Sequence, residues 1–245
     1  MENKIEQLTQ ILKESNNIVF FGGAGVSTES NIPDFRSSNG LWNEKLKINF
    51  TPEQLVSHTF FMKYPEEFFN FYKAKLIYPE AKPNAAHIAL AKLEEMGKLK
   101  AVVTQNIDGL HQAAGSKVVY ELHGSVLRNY CMKCHDFYDE KFILESEGVP
   151  ICPKCGGKVK PDVVLYEEGL DNDIINGSVK AISEADTLII GGTSLIVYPA
   201  AALINYFKGK NLVLINKSTT SADSKADLVI HEAIGKVLSE AVHNL

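Results

Sequence analysis

Two hydrophobic periods take turns along this chain. Residues 1–15 carry Ile5, Leu8, Ile11 and Leu12 at helical spacing and predict an amphipathic helix. Asn17 then opens a continuous apolar run, Ile18-Val19-Phe20-Phe21, which predicts a short buried strand. Further runs of that kind lie at 101–103, 118–122, 187–190, 211–215 and 229–230. Helical patterns separate them. One carries Ala86, Ala89, Leu90, Leu93 and Met96, capped by Asn84 and closed by Gly97. A second puts Ile174, Ile175, Val179 and Ile182 on one face, a third starts at Tyr198-Pro199, and the last begins at Ile234. Residues 160–168 read as the point where this core resumes after an interruption. Strands alternating with helices predict an α/β fold on a parallel sheet with helices on both faces.

Two stretches interrupt the alternation. Residues 51–78 open on Thr51-Pro52-Glu53, a helix start with proline at the first helical position. They are dense in aromatics (Phe60, Phe61, Tyr64, Phe68, Phe69, Phe71, Tyr72, Tyr78), which predicts a helical insertion packed on its own core. The second stretch holds all four cysteines, as Cys131-x-x-Cys134 and Cys152-x-x-Cys155 with 17 residues between the pairs. Two such pairs at this spacing are a zinc pattern. Four thiolates leave no open coordination position, so the ion would be structural. His135 is the weaker alternative ligand, and disulfides would need an oxidising compartment.

The ends of the predicted strands carry the chemistry. Gly22, Gln105, His123, Gly192 and Asn216 all follow apolar runs. Five polar or glycine ends on one alternating chain point to a single large cofactor spread along a sheet edge. Gly23 and Gly25 match the first two glycines of a dinucleotide fingerprint, with Thr28 at the third position. Their backbone N–H groups, at a helix N-terminus, would approach a phosphate. An acid-bearing second strand does not follow. The chain gives Asn31-Ile32-Pro33-Asp34-Phe35-Arg36 instead, and Pro33 argues against a strand. The site therefore reads as a dinucleotide site without hydride-transfer chemistry. After the strand at 101–103, Thr104-Gln105-Asn106-Ile107-Asp108 offers an amide pair and an acid. Asn106 and Asp108 alone also fit a helix cap running through Ala114.

Composition narrows the classes. A chain of 245 residues suits one large domain, or a core with a smaller attachment. A net charge of -5 gives no general basic footprint, so direct nucleic-acid binding is not expected. Around the cysteines, Arg128, Lys133, Lys141, Lys154, Lys158 and Lys160 are offset by Asp136, Asp139, Glu140, Glu145 and Glu147. No apolar run is long enough to span a bilayer, and residues 1–15 are not a signal peptide. A cytoplasmic protein with no membrane contact is the expectation. The oligomeric state stays open, a monomer included.

These segments resemble one family, the sirtuins. The resemblance rests on Gly23-Ala24-Gly25-Val26-Ser27, Ile32-Pro33-Asp34-Phe35-Arg36, Thr104-Gln105-Asn106-Ile107-Asp108, His123-Gly124, the two cysteine pairs and Gly192-Thr193-Ser194-Leu195, in the family's order over nearly the whole chain. Three departures stand out. Asn31 replaces a frequent glycine, Gly22 a frequent threonine, and Tyr166-Glu167-Glu168 the usual Phe-Gly-Glu of the peptide-binding loop. The chain resembles a compact microbial-type member. The resemblance implies a Rossmann-like part (1–35, 80–125, 160–245) with a helical insertion (36–79) and a zinc lobe (126–159), together one catalytic unit. It implies an NAD-dependent protein-lysine deacetylase that releases nicotinamide and O-acetyl-ADP-ribose, with one structural zinc ion on Cys131, Cys134, Cys152 and Cys155.

The roles it implies follow residue by residue. Gly23, Ala24 and Gly25 would hold the pyrophosphate of NAD, with Thr28 and Arg36 as further cofactor-binding residues. Gly192, Thr193, Ser194, Asn216, Lys217, Ala233 and Ile234 would line the adenosine end. Gln105 and Asn106 would bind the nicotinamide ribose, and Ile107 and Asp108 the carboxamide. Phe35 would cover the reacting face. His123 would be the general base, with Asn106 beside it in catalysis. Val163, Leu165, Tyr166, Leu195 and Val197 would bind the acetyl-lysine peptide as an added strand. Family members that prefer acidic acyl groups resemble one another in a Tyr-x-x-Arg element. Here Tyr72 is followed by Lys75, so acetyl is expected over succinyl. Two other readings use the same residues: protein ADP-ribosyl transfer, and a module that only binds NAD or ADP-ribose.

Overall fold

The computed structural model describes residues 2–35, 40–41 and 50–245; the role expected of Arg36 lies outside them. In chain order the elements are α1 (Glu2–Glu14), β1 (Ile18–Gly22), α2 (Pro52–Leu55), α3 (His58–Lys63), α4 (Pro65–Lys75), α5 (Ala85–Glu95), β2 (Leu99–Thr104), α6 (Leu110–Ala113) and β3 (Val119–Glu121). Then follow β4 (Gly124–Cys131), β5 (Phe137–Tyr138), α7 (Glu140–Glu145), β6 (Val159–Val163), α8 (Asn172–Glu184), β7 (Thr187–Gly191), β8 (Asn211–Ile215), β9 (Leu228–Ile230) and α9 (Ile234–His243). The α/β reading holds. Six strands form one sheet in the order β3-β2-β1-β7-β8-β9, and every neighbouring pair is parallel.

Side-chain alternation on β1 explains why both faces are covered. Ile18 and Phe20 point to a core shared with α1, α5 and α9, while Val19 and Phe21 point to one shared with α8 and the 3-10 helix Ala200–Tyr206. All five residues of β1 are buried. That is the state of a central parallel strand, and it requires an unbroken apolar run rather than alternation. The run at 118–122 behaves differently. β3 is the edge strand, and Val118 is exposed. The helix expected from Tyr198-Pro199 is a 3-10 helix starting at Ala200.

One expectation is corrected outright. The segment from Lys160 does not resume the parallel sheet. β6 pairs antiparallel with β4 in a separate three-stranded sheet, β5-β4-β6. Its burial alternates along Val159–Val163, which marks a strand covered on one face. The covering core joins the helical insertion to the cysteine lobe. Phe60, Phe61, Phe68, Phe69, Phe71 and Tyr72 pack with Val126, Ile143, Val159 and Val163, together with Cys131 and Cys152. The aromatics therefore pack a core, as their density predicts.

The four sulfurs stand at the far end of that core, all within 4.8 Å of one another. Sγ–Sγ separations of 3.4 Å (Cys131–Cys155) and 3.6 Å (Cys134–Cys152 and Cys152–Cys155) are close to the edge of a zinc–thiolate tetrahedron, about 3.8 Å for bonds of about 2.3 Å. The residues fit one tetrahedral zinc ion. His135 is not in the cluster. Structural zinc contributes folding free energy directly. We expect Cys131→Ala to lose the metal and melt the small lobe. Zinc content and thermal melting check this, and a folded, metal-free preparation made without chelator would contradict it.

Candidate active site

The order of strands in the large sheet reverses direction at β1. From there β2 and β3 run outward one way and β7, β8 and β9 the other. Crevices form outside the carboxyl ends at such a switch point. Gly22 stands level with Thr104 on one side and Gly191 on the other, so three strand ends open onto one place. A cavity of about 1070 Å³ occupies it. It extends over β6 and the loop after it, between the two sheets.

The glycine loop is built for close backbone contact. Gly25 N–H donates to the Gly192 carbonyl at 2.8 Å, and a Cβ on Gly25 would fall 2.8 Å from Gly192 Cα. No side chain fits there. The helix expected behind this loop is instead two single 3-10 turns, Ala24–Val26 and Thr28–Ser30. Asn31 ends the second at φ 62°, the left-handed geometry that asparagine tolerates better than most residues. An aligned helix dipole is therefore missing here. Any anion would meet individual N–H groups, and that of Gly25 is already taken.

Three polar groups converge beside the loop. Ser27 Oγ donates to Asp108 Oδ2 at 2.6 Å and accepts from Asn106 Nδ2 at 3.0 Å. The other Asp108 oxygen accepts from Leu110 N–H at 2.9 Å, at the start of α6. Neither residue is the helix cap expected: the N-cap of α6 is Gly109, and Asp108 bonds its first N–H from the position before it. Thr104 Oγ1 accepts from Asn106 N–H. Gln105 Nε2 donates to Thr193 Oγ1 at 3.1 Å and so bridges β2 to the loop after β7.

His123 sits at the end of the β3 segment, with Nδ1 3.0 Å from the Gln105 carbonyl. A carbonyl only accepts, so Nδ1 carries the proton and Nε2 is the basic nitrogen. Burial pushes the His123 pKa below the usual imidazole value, partly offset by the bond to Gln105. The side chain is neutral at pH 7. Gly124 follows at φ 75°, where a Cβ would collide with the Asp162 carbonyl of β6. The His-Gly pair thus lets β4 leave directly alongside β6. Behind Asp108 lie two fully buried imidazoles, His87 and His111, with ring centroids 4.7 Å apart. Burial lowers the first to about 4 and the second to about 3, so both are neutral packing groups.

Most residues singled out in the sequence line this one cavity. They include Gly23, Ala24, Gly25, Thr28, Phe35, Gln105, Asn106, Ile107, Asp108 and His123, and also Val163, Leu165, Tyr166, Gly192, Thr193, Ser194, Val197, Asn216, Lys217 and Ile234. Leu195 and Ala233 do not. Leu195 is buried in the core beneath, and Ala233 precedes α9. The sequence reading did not single out Ser27, whose role rests on Asp108, 81 residues away. It also missed Asn84, whose Nδ2 holds the Val26 carbonyl at 2.8 Å. Only the motif around Ser27 hinted at the first. A helix-capping asparagine gave no signal for the second.

Comparison with known proteins bears on the whole chain. Residues 23–199 match the Sir2 family model. A Clostridium perfringens protein named NAD-dependent protein deacetylase is 79% identical over 243 residues, covering 99% of this chain and 100% of that protein. A solved Sir2 variant with a deacetylated p53 peptide and 3′-O-acetyl-ADP-ribose superposes with a TM-score of 0.89 at 39% identity, over 98% of this chain and 97% of that one. A Sir2–p53 peptide–NAD+ structure gives 0.85 at 39% identity, over the same shares. With its parallel sheet, its four-cysteine cluster and its cavity at the switch point, the chain belongs to the Sir2 family.

Proposed function

We propose that this chain is an NAD-dependent protein-lysine deacetylase, releasing nicotinamide and O-acetyl-ADP-ribose. One observation carries the reading. A neutral imidazole with its basic Nε2 available shares a single cavity with the Gln105-Asn106 amides, Asp108 and the glycine loop. The names of the relatives and the contents of the superposed Sir2 structures support it. NAD supplies an anomeric carbon that becomes electrophilic as nicotinamide leaves.

The chain's own groups have distinct tasks. Gly23, Ala24, Gly25 and Thr28 bind the pyrophosphate side. Gly192, Thr193, Ser194, Asn216, Lys217 and Ile234 line the adenosine end. Gln105 and Asn106 hold the nicotinamide ribose, Asn106 being oriented by Ser27. Asp108, fixed at both oxygens, and the Ile107 backbone recognise the carboxamide. Phe35 excludes water from the reacting face. His123 Nε2 takes a proton from a ribose hydroxyl, which then attacks the carbon derived from the acyl group. The peptide adds to β6, the outer strand of its sheet, with residues 195–197 on the far side. Zinc on the four cysteines is structural. A cytoplasmic location goes with this reading, because four thiolates need a reducing compartment.

His123→Ala is expected to leave NAD affinity nearly intact and to lower turnover at least about 100-fold. Calorimetric NAD binding beside steady-state rates checks the pair of effects, and near-normal deacetylation would dismiss the assignment. The pH profile has a definite sign. A base works only when neutral, and activity falls as pH drops through its pKa. A lowered His123 pKa puts the acid limb of kcat/KM below about 6.5, the ordinary imidazole value. A His123 limb above that value would contradict the burial argument.

Acetyl is the expected acyl group over succinyl. Tyr72 is fully buried and stacked on Phe68, its hydroxyl has no hydrogen-bond partner among the described residues, and it does not line the cavity. Lys75 does line it. An ammonium is a strongly hydrated point charge and cannot form the bidentate fork that a distal carboxylate would find on arginine. The ratio of kcat/KM on one peptide carrying acetyl- or succinyl-lysine should favour acetyl. A ratio favouring succinyl would overturn this.

A further inference from the structure

One wall of the cavity is held in a backbone conformation that its sequence disfavours. In the loop after β6, Glu167 has φ 77°. That left-handed region is glycine's by default, and a long side chain persists there only when its surroundings over-determine it. The surroundings are the first turn of α3. Helix starts leave N–H groups without intrahelical partners. In α3 they are fully allocated: His58 N–H donates to the Tyr166 carbonyl at 3.0 Å, Thr59 N–H to Glu167 Oε2 at 2.8 Å, and Phe60 N–H to Ser57 Oγ at 3.1 Å. Two of these three acceptors come from the loop.

The attachment continues on both sides. Tyr166 N–H donates to the Val56 carbonyl at 3.0 Å. Glu168 Oε1 lies 2.8 Å from His58 Nδ1, and Glu168 Oε2 accepts from Leu165 N–H at 2.9 Å and Lys160 Nζ at 3.1 Å. The Thr59 bond, together with the attraction of His58 and Lys63, lowers the Glu167 pKa, so the carboxylate is ionised at neutral pH. Val56, Leu165, Tyr166 and Glu167 all line the cavity. The loop thus joins the helical insertion to the outer strand β6.

We propose that Glu167 is a positioning residue for substrate binding: its carboxylate on Thr59 N–H fixes the turn that holds the edge of β6 and residues 164–166 where an acyl-lysine peptide adds. This rests on the deacetylase reading, and it assigns a task to a residue standing where the usual Phe-Gly-Glu of sirtuins has glycine. Glycine would relax the turn and give up the attachment. Alanine would keep the disfavoured backbone and give up the attachment. Glutamine would keep an acceptor oxygen.

The test compares wild type with Glu167→Ala, Glu167→Gly and Glu167→Gln, all checked for zinc content and melting temperature. It uses one fluorescent acetyl-lysine peptide, read by anisotropy and by steady-state rates at saturating NAD. Glu167→Ala should raise the peptide Kd and KM roughly tenfold, the scale of one lost charge-assisted hydrogen bond. Both kcat and the KM for NAD should stay within about twofold. Glu167→Gln should bind much as wild type, and Glu167→Gly should lie between them. Unchanged peptide affinity in the alanine and glycine variants overturns the proposal, as does a glutamine variant as weak as alanine. So does a fall in kcat with peptide KM unchanged. If the alanine variant does not fold, the glycine and glutamine variants decide. A wild type that neither binds nor deacetylates the peptide sinks the deacetylase reading instead, and the inference with it.

Discussion

The site depends on one close approach, that of the Gly25 backbone to Gly192. β1 and β7 are neighbours, so the loops leaving them must cross at the same sheet edge. With no Cβ on either side, the crossing closes to a 2.8 Å hydrogen bond. That distance sets where Ser27 falls, two residues on. Ser27 in turn fixes both Asp108 and Asn106, which arrive from β2 on the other flank of β1. Any bulk at Gly25 would move the serine and release two cavity groups at once. Beside the pyrophosphate task proposed for them, the glycines act as a packing condition for side chains elsewhere. That fits the absence of a long helix behind them.

Electrostatics in this cleft follow from who is buried with whom. His123 loses solvent and gains only a carbonyl partner, so its neutral form is favoured and its tautomer is set. Asp108 accepts from two donors, Ser27 Oγ and Leu110 N–H. Carboxylate and imidazole are therefore poised for opposite tasks by local partners, without a direct contact between them. His87 and His111, close behind, are suppressed as bases chiefly by burial, with His87 adding to the effect on His111. An imidazole in this protein is thus useful for proton transfer only where it reaches the cavity.

Elements that depend on local sequence were legible, and those that depend on distant partners were not. The continuous apolar runs predicted every strand of the large sheet, most directly the central ones, because a strand buried on both faces needs no partner information to be recognised. The two cysteine pairs and the His-Gly step were legible for the same reason, since spacing and residue type carry the signal. The destination of β6 was not. Five residues of alternating burial fit either sheet, and only pairing with β4 decides between them. Ser27 was invisible as a site residue because its partner is supplied by the fold. Glu167 looked like a departure from a pattern and nothing more, since φ 77° cannot be read from an acidic residue.

The structural zinc site and the proposed base are not independent features. β4 begins at Gly124, immediately after His123, and ends at Cys131, a member of the cysteine cluster. The same strand pairs with β6 at both of its ends, across an irregularity between Ser125 and Asn129, and β6 carries the proposed substrate edge. A tetrahedron of thiolates at one end therefore restrains a ladder whose other end places an imidazole and the proposed peptide-binding strand. The bond from His123 Nδ1 to Gln105 ties that end of β4 back to the large sheet. Both ends of the strand are thus anchored, one by metal and one by an imidazole hydrogen bond. The small lobe can contribute to precision at the reaction centre without any zinc ligand coming near it.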